Sequence, residues 1–179
     1  MYGKMTATQD GTRQPSLVLK GDGVGFYFYR CSVKALSEKQ FFELFRPSID
    51  VLSPEFSREE AALNLRKAEN AEKKVCDILL DQSVFAGVGN IIKNETLFNA
   101  GILPERLCGS LSRTEVNNLV NCAKDFSVLF LNKRMSGQKL SGYSHVYFRS
   151  KCSRCGGKIS RSKCGTTGRI TFWCPKCQK

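Results

Sequence analysis

Several features are scarce or missing in this sequence, and each gap excludes something. No apolar run approaches the ~18 residues of a membrane span, and the opening stretch MYGKMTATQDG has no apolar core of a secretory signal. These two gaps lead us to expect a soluble protein in a reducing, intracellular compartment. Histidine occurs once, at His145, which reads as an ordinary polar residue rather than a ligand. Acidic residues stop at Asp125: from Lys133 to Lys179 there are twelve Lys or Arg and no Asp or Glu. The residues before Lys133 hold sixteen charges of each sign, so the whole net charge of +12 sits in the C-terminal quarter. A solubilising surface usually mixes signs. A one-sign segment interleaved with Tyr143, Tyr147, Phe148, Phe172 and Trp173 fits a nucleic-acid partner better. There is no internal repeat and no low-complexity tract. Global disorder is excluded, because 41% hydrophobic residues and twelve Phe can build a core.

Cysteine, by contrast, is plentiful. Five of the nine (Cys31, Cys76, Cys108, Cys122 and Cys164) share no spacing and read as reduced thiols, mainly buried. The other four form CSRC-x18-CPKC: Cys152, Cys155, Cys174 and Cys177. A two-residue gap lets both thiolates of one knuckle reach the same ion, and two knuckles complete a closed tetrahedron, so we expect one structural zinc ion. Disulfides would need an oxidising compartment that nothing else in the sequence suggests. A stretch of about 26 residues cannot bury a core, so metal binding, worth on the order of 10–16 kcal/mol, is expected to fold it. Between the knuckles, SKCGTTGRITFW predicts two short strands around a glycine-rich turn with Arg169 at the tip. For most arginines an ordinary surface role is the better reading.

Elsewhere the pattern is mixed. SLVLKG and GFYFYRCSV flank Gly21-Asp22-Gly23 and predict a hairpin, with Phe26 and Phe28 on one face. An isolated hairpin is marginal in water, and little before residue 16 looks able to extend it. An unpaired edge and exposed apolar surface should follow. Ser57 with Glu60 matches a capping box, predicting a continuous helix over about 58–80. A shorter helix, IIKNETLFNA, should end at Gly101. Ser112 with Glu115 opens a third, over about 113–133, with Val116, Leu119, Val120, Ala123, Phe126, Leu129 and Phe130 on one stripe.

Before the second helix stands GVGN. A glycine there costs roughly 0.5–1 kcal/mol of order, and a common return is backbone amides brought close to an anion at a helix N-terminus. Those residues alone fit a ligand-free helix–helix turn equally well.

The order of these parts resembles the Fpg/Nei family, the formamidopyrimidine-DNA glycosylases and endonuclease VIII-like enzymes of base-excision repair. The residues carrying the resemblance are LLDQSVFAGVGNIIKNETLF (79–98), AGILP (100–104), HVYFR (145–149) and GRITFWCPKCQ (168–178). The wording GVGNIIKNE is closest to a vertebrate Nei-like branch. The resemblance implies an α+β fold: a remnant of an N-terminal β-sandwich (1–50), an all-helical helix–two-turn–helix domain (51–134), a basic linker (135–150) and a four-Cys β-hairpin zinc finger (151–179). It further implies DNA, damaged or abasic, as partner, a nuclear location and a monomer. Asn90 matches the family asparagine that contacts phosphates flanking the lesion, and Arg169 matches the finger arginine that does likewise. Gly87 and Gly89 would let amides approach the strand, and Lys93 is a candidate third contact, weighed against a plain solvated lysine.

The family's chemistry uses an N-terminal Pro, Val or Met amine that attacks the sugar, followed by a Glu that manages protons. This chain begins Met1-Tyr2-Gly3-Lys4-Met5, and MYGK resembles an internal segment of the family sandwich. We therefore expect a fragment with no catalytic residue of its own, which binds DNA without forming the Schiff base. Two other readings stand beside the glycosylase. One is a non-catalytic nucleic-acid module, a truncated isoform or an RNA- or ribosome-associated protein; the other is a zinc-ribbon adaptor for an acidic protein.

Overall fold

The computed structural model describes residues 3–179, with the side chains of Glu43 and Leu44 left aside. Met1 and Tyr2, on which the reading of the chain start turns, lie outside the described residues. The chain divides into two compact units, Met1–Glu43 and Leu44–Lys179. No helix among the described residues is long and apolar enough to cross a membrane.

The first unit is a three-stranded antiparallel sheet of order β1-β3-β2, with β1 Lys4–Thr6, β2 Leu17–Gly21 and β3 Val24–Tyr29. The β2–β3 hairpin forms as expected, turning on Asp22 and Gly23 at φ 35° and 79°. The additional strand β1 corrects the expectation that little before residue 16 could extend the hairpin. Its three residues are too few to show alternation, and it is defined by its pairing of Met5 with Phe28. Met5, Leu19, Val24 and Phe26 are exposed. A helix, α1 Glu38–Leu44, was not foreseen. It opens on a readable box, Gln40 N donating to Ser37 Oγ at 3.3 Å and Ser37 N to Gln40 Oε1 at 3.0 Å.

The second unit is built on four helices: α2 Arg58–Leu65, α3 Val75–Ile78, α4 Asn90–Ala100 and α5 Arg113–Met135. The continuous helix expected over 58–80 is broken. After α2 the Asn70 Nδ2 donates to Asn64 O at 2.6 Å, closing the helix end. Lys74 then bridges to Leu107, and Val75 N reaches Arg106 O at 2.9 Å. Long-range pairing thus pulls the chain out of helix; of the apolar stripe Ala61, Leu65, Ala68, Val75, Ile78 and Leu79 expected along that helix, all reach the core except Ala68, which is exposed. Ser57 caps α2 through Glu60 N at 3.1 Å, but the Glu60 carboxylate turns to Arg46 at 3.0 Å, so the box is half made. In α5 both halves form. The Arg106 guanidinium on Glu115 holds that carboxyl well below its usual range, at about 2. Gly101, at φ +75°, ends α4 as its position demanded.

The last element is a hairpin, β4 Ser160–Cys164 and β5 Arg169–Trp173. It is not self-contained. Ile159 and Phe172 share a core cluster with Phe98 of α4 and with Val146 and Tyr147. Segment 135–150 is also more than a spacer, since the Glu95 carboxylate, 0% exposed, accepts the backbone N–H groups of His145 (2.7 Å), Val146 (3.0 Å) and Tyr147 (2.8 Å). The His145 ring stacks on Phe98 at 5.5 Å and its Nδ1 lies 2.9 Å from Ser153 Oγ, the ordinary polar role expected of it.

Glu95→Ala should therefore leave three donors unpaired and lower unfolding free energy by about 3 kcal/mol or more in urea titration. Glu95→Gln, which keeps one acceptor oxygen, should cost less.

Candidate nucleic-acid interface and metal site

Helix α4 carries an unusual run: Lys93, Asn94, Glu95 and Thr96 are all at most 1% exposed. Buried polar groups need partners, and here most of the partners lie on strand β5 and the linker. Asn90 Nδ2 donates to Ile170 O at 3.0 Å, and Asn94 Oδ1 accepts from Phe172 N at 2.6 Å. Lys93 Nζ donates to Thr171 Oγ1 at 2.7 Å, and that hydroxyl donates to Arg169 O at 3.0 Å. The start of α4 and the start of β5 are thus brought together, Asn90 lying against the residue next to Arg169.

Two details bear on the glycine turn. Gly87 takes φ +86°, which a side chain would strain, and its N–H donates to Gln82 Oε1 at 3.0 Å, while Gln82 Nε2 donates to Val88 O at 3.1 Å. Gly89 has extended backbone, and a Cβ there would point into open space. Gly89 is the N-cap of α4 and offers no side-chain cap, so the first-turn amides stay available to an anion. Asn90 Oδ1 is buried without a partner.

Lys93 is not a solvated lysine. Burial lowers its pKa to about 8, against the opposing pull of Cys76 and Cys164. Arg169 is half-buried. Of the scattered cysteines, Cys76, Cys108 and Cys164 are buried, Cys122 is half-buried and Cys31 exposed; none is in a disulfide. Burial pushes Cys76 up to about 12 and Cys108 to about 11.

The four predicted thiols converge. Cys152, Cys155, Cys174 and Cys177 place their sulfurs within 4.8 Å of one another, so the cluster can hold a metal ion. Cys152 and Cys177 Sγ are 3.8 Å apart and Cys155 and Cys174 Sγ 3.5 Å. Sulfurs about 2.3 Å from a shared tetrahedral ion would stand about 3.8 Å apart, so the donor set fits. Desolvation and then the neighbouring thiols push Cys177 up to about 12. Gln178, 1% exposed, locks this end: Cys174 N donates to its Oε1 and its Nε2 donates to Ile102 O, both at 2.8 Å.

Residues 48–137 match the family described as formamidopyrimidine-DNA glycosylase H2TH domain. The chain belongs to the Fpg/Nei family. Endonuclease 8-like 3 of Xenopus laevis is 41% identical over 161 residues, 90% of this chain and 26% of that protein. Endonuclease 8-like 2 of Homo sapiens is 36% identical over 168 residues, 92% of this chain and 47% of that protein. Among solved structures, the Lactococcus lactis Fpg non-covalently bound to DNA containing an AP site superposes with TM-score 0.79 and 27% identity, over 100% of this chain and 71% of that one. The chain therefore spans about a quarter of the length of the Endonuclease 8-like 3 relatives it matches.

The residues that sequence reasoning missed are Asn94, Glu95, Gln82 and Gln178. All four lie in or beside the quoted motifs; Asn94, Glu95 and Gln178 reach distant backbone groups that no local spacing reveals, whereas Gln82 pairs with Gly87 and Val88 of its own turn.

Lys93 makes a signed prediction. Its folded pKa lies below the unfolded value near 10.4, so between pH ~8 and ~10 the unfolded state binds more protons. The Lys93 contribution to stability should rise across that window, by at most about 1.4 kcal/mol per pH unit, while the raised thiols of Cys76 and Cys108 contribute the opposite slope in parent and variant alike. The stability difference between the parent and Lys93→Met should therefore move in the parent's favour as pH rises through the window, read by urea titration of both proteins at each pH.

Proposed function

We propose that this chain is a damaged-DNA-binding unit of base-excision repair: the strand-gripping portion of a DNA glycosylase with AP lyase activity, acting in the nucleus as a monomer. The observation that carries it is the hydrogen bond from Asn90 to Ile170 O, 3.0 Å. It joins an uncapped helix start to the hairpin bearing Arg169, so that two elements can grip one backbone. Phosphate contacts of this kind set register and orientation. Asn90 contributes an amide with a second N–H beyond the one given to Ile170, Arg169 a guanidinium suited to phosphate, and Gly89 a surface with no side chain in the way. Gly87 shapes the turn. Lys93 acts from inside, through Thr171, and a phosphate contact would require it to leave that bond. The twelve positive charges after residue 132, unopposed by acids, supply long-range attraction. The fold of an Fpg solved with AP-site DNA supports the same reading.

The partition into a sandwich remnant (1–50), a helix–two-turn–helix domain (51–134), a basic linker (135–150) and a finger (151–179) belongs to this proposal. So does zinc, held by Cys152, Cys155, Cys174 and Cys177. Four thiolates leave no open position, so the ion would brace the finger and take no part in catalysis.

If about four phosphates are gripped, log affinity for abasic-site DNA should fall against log salt with slope roughly −3 to −4. A slope near −1 would favour an adaptor for an acidic protein. Asn90→Ala and Arg169→Ala should each weaken binding at full zinc content, whereas an equal loss in Lys163→Ala would mean that charge alone decides. Stripping the metal with a chelator should abolish specific binding. We assign no catalytic residue to this chain, so borohydride treatment on an abasic oligonucleotide should trap no adduct; a covalent product would overturn that assignment.

A further inference from the structure

The turn of the finger hairpin, residues 165–168, is held from outside the hairpin. Thr166 N donates to Asp77 Oδ2 at 2.7 Å and Thr167 N to Asp77 Oδ1 at 3.2 Å. Asp77 belongs to α3, and its carboxylate is the acceptor for two successive amides of a turn about ninety residues away in sequence. A second carboxylate, Glu105, accepts from Gly165 N at 3.4 Å while paired with Lys74 at 2.9 Å. The approach is close enough to dictate a residue type. Gly165 sits at φ +68°, and a Cβ built there would lie 2.3 Å from Asp77 Oδ1. No side chain fits that space. Burial raises the Asp77 carboxyl, but the hydrogen bonds from Thr166 and Thr167 outweigh it and hold the group below its ordinary value. The carboxylate is therefore ionised at neutral pH.

Arg169 leaves this turn as the first residue of β5, paired with Cys164. Its carbonyl is fixed by Thr171. The turn that precedes it has two glycines at positive φ, Gly165 and Gly168, and little rigidity of its own. We propose that Asp77 is a positioning residue for DNA binding: by clamping the Thr166 and Thr167 amides it fixes the turn from which Arg169 presents its guanidinium to a phosphate. The inference rests on the reading of Arg169 as a phosphate contact and extends it to a residue that touches no DNA.

Charge and geometry predict opposite signs, which makes the test decisive. Asp77 is negative, so removing it should tighten DNA binding if only net charge matters. A positioning role predicts the reverse. The measurement is the affinity of the zinc-loaded full chain for an abasic-site duplex across a salt series. Asp77→Asn should weaken binding about tenfold, as expected for lost charge-assisted hydrogen bonds. It should also flatten the salt slope by about one, as loss of a phosphate contact does. Gly165→Ala should act in the same direction, and keeps the question open to test if Asp77→Asn folds poorly. Hydrogen exchange at the Thr166 and Thr167 amides should quicken in Asp77→Asn while zinc content is kept. In an Arg169→Ala background, Asp77→Asn should add little, because both act on one contact. Binding by Asp77→Asn equal to or tighter than the parent, with Arg169→Ala weakened, overturns the proposal alone; so do fully additive losses. Full affinity in Arg169→Ala removes the underlying reading, and the proposal falls with it.

Discussion

A helix cannot pair its backbone with a strand, yet α4 lies along the free edge of β5 and pairs with two of its backbone groups. The substitution is made by side-chain amides: Asn90 donates to Ile170 O and Asn94 accepts from Phe172 N, four residues apart on the helix and two apart on the strand. Each buried donor or acceptor left unpaired would cost about 1–3 kcal/mol, so helix and strand are locked in one register. Lys93 adds a third tie through Thr171, and Glu95 extends the same logic to three amides of the linker. A slip of one residue along α4 would break all of these at once. The position of Arg169 relative to Asn90 is a consequence of this seam.

The finger is consequently anchored at several places rather than folded by its thiols alone. Phe172 and Ile159 take their apolar neighbours from Phe98, Val146 and Tyr147. Gln178 ties the last knuckle to Ile102, and Lys179 N reaches Gly101 O at 2.8 Å. This explains why AGILP and CPKCQ, far apart in sequence, belong to one pattern: they are opposite sides of one set of backbone contacts. These contacts act beside the support that a metal on the four thiols would give. The cluster of thiols closes one end, α4 holds β5, and the carboxylates of Asp77 and Glu105 hold the turn.

What could be read from the sequence was whatever is encoded locally. Ser112 with Glu115 and Gly101 marked helix ends correctly, because capping involves residues three or four apart. The thiol cluster was legible for the same reason, as was the β4–β5 hairpin. The break after Leu65 was not, since the apolar spacing continues through it and what stops the helix is the pull of Arg106 and Leu107 on the other side. Lys93 was illegible in another sense. Its type suggests solvent, and only the hydroxyl of Thr171, 78 residues on, makes burial tolerable. Strand β1 fell below the length at which alternation says anything, whereas the Ser37–Gln40 box was readable and overlooked. Of the two glycines, Gly87 is required by its φ and Gly89 is not, a distinction that the letters GVGN do not carry.

Net charge and precise contact have been assigned to different parts of the chain. The positive excess lies wholly after residue 132, spread over the end of α5, the linker and the finger, where it can attract any polyanion. Attraction of that kind falls off over the screening length and carries no register. In the proposed grip, register would come from α4, which belongs to the charge-balanced part and contributes buried amides, a buried ammonium and an uncapped N-terminus instead of exposed lysines. The carboxylates at Asp77 and Glu105 fit this division. They place negative charge beside the most basic segment, at some cost to attraction, and what they return is a fixed turn. Such a trade makes sense only if the direction of the finger's arginine matters more than the total charge around it.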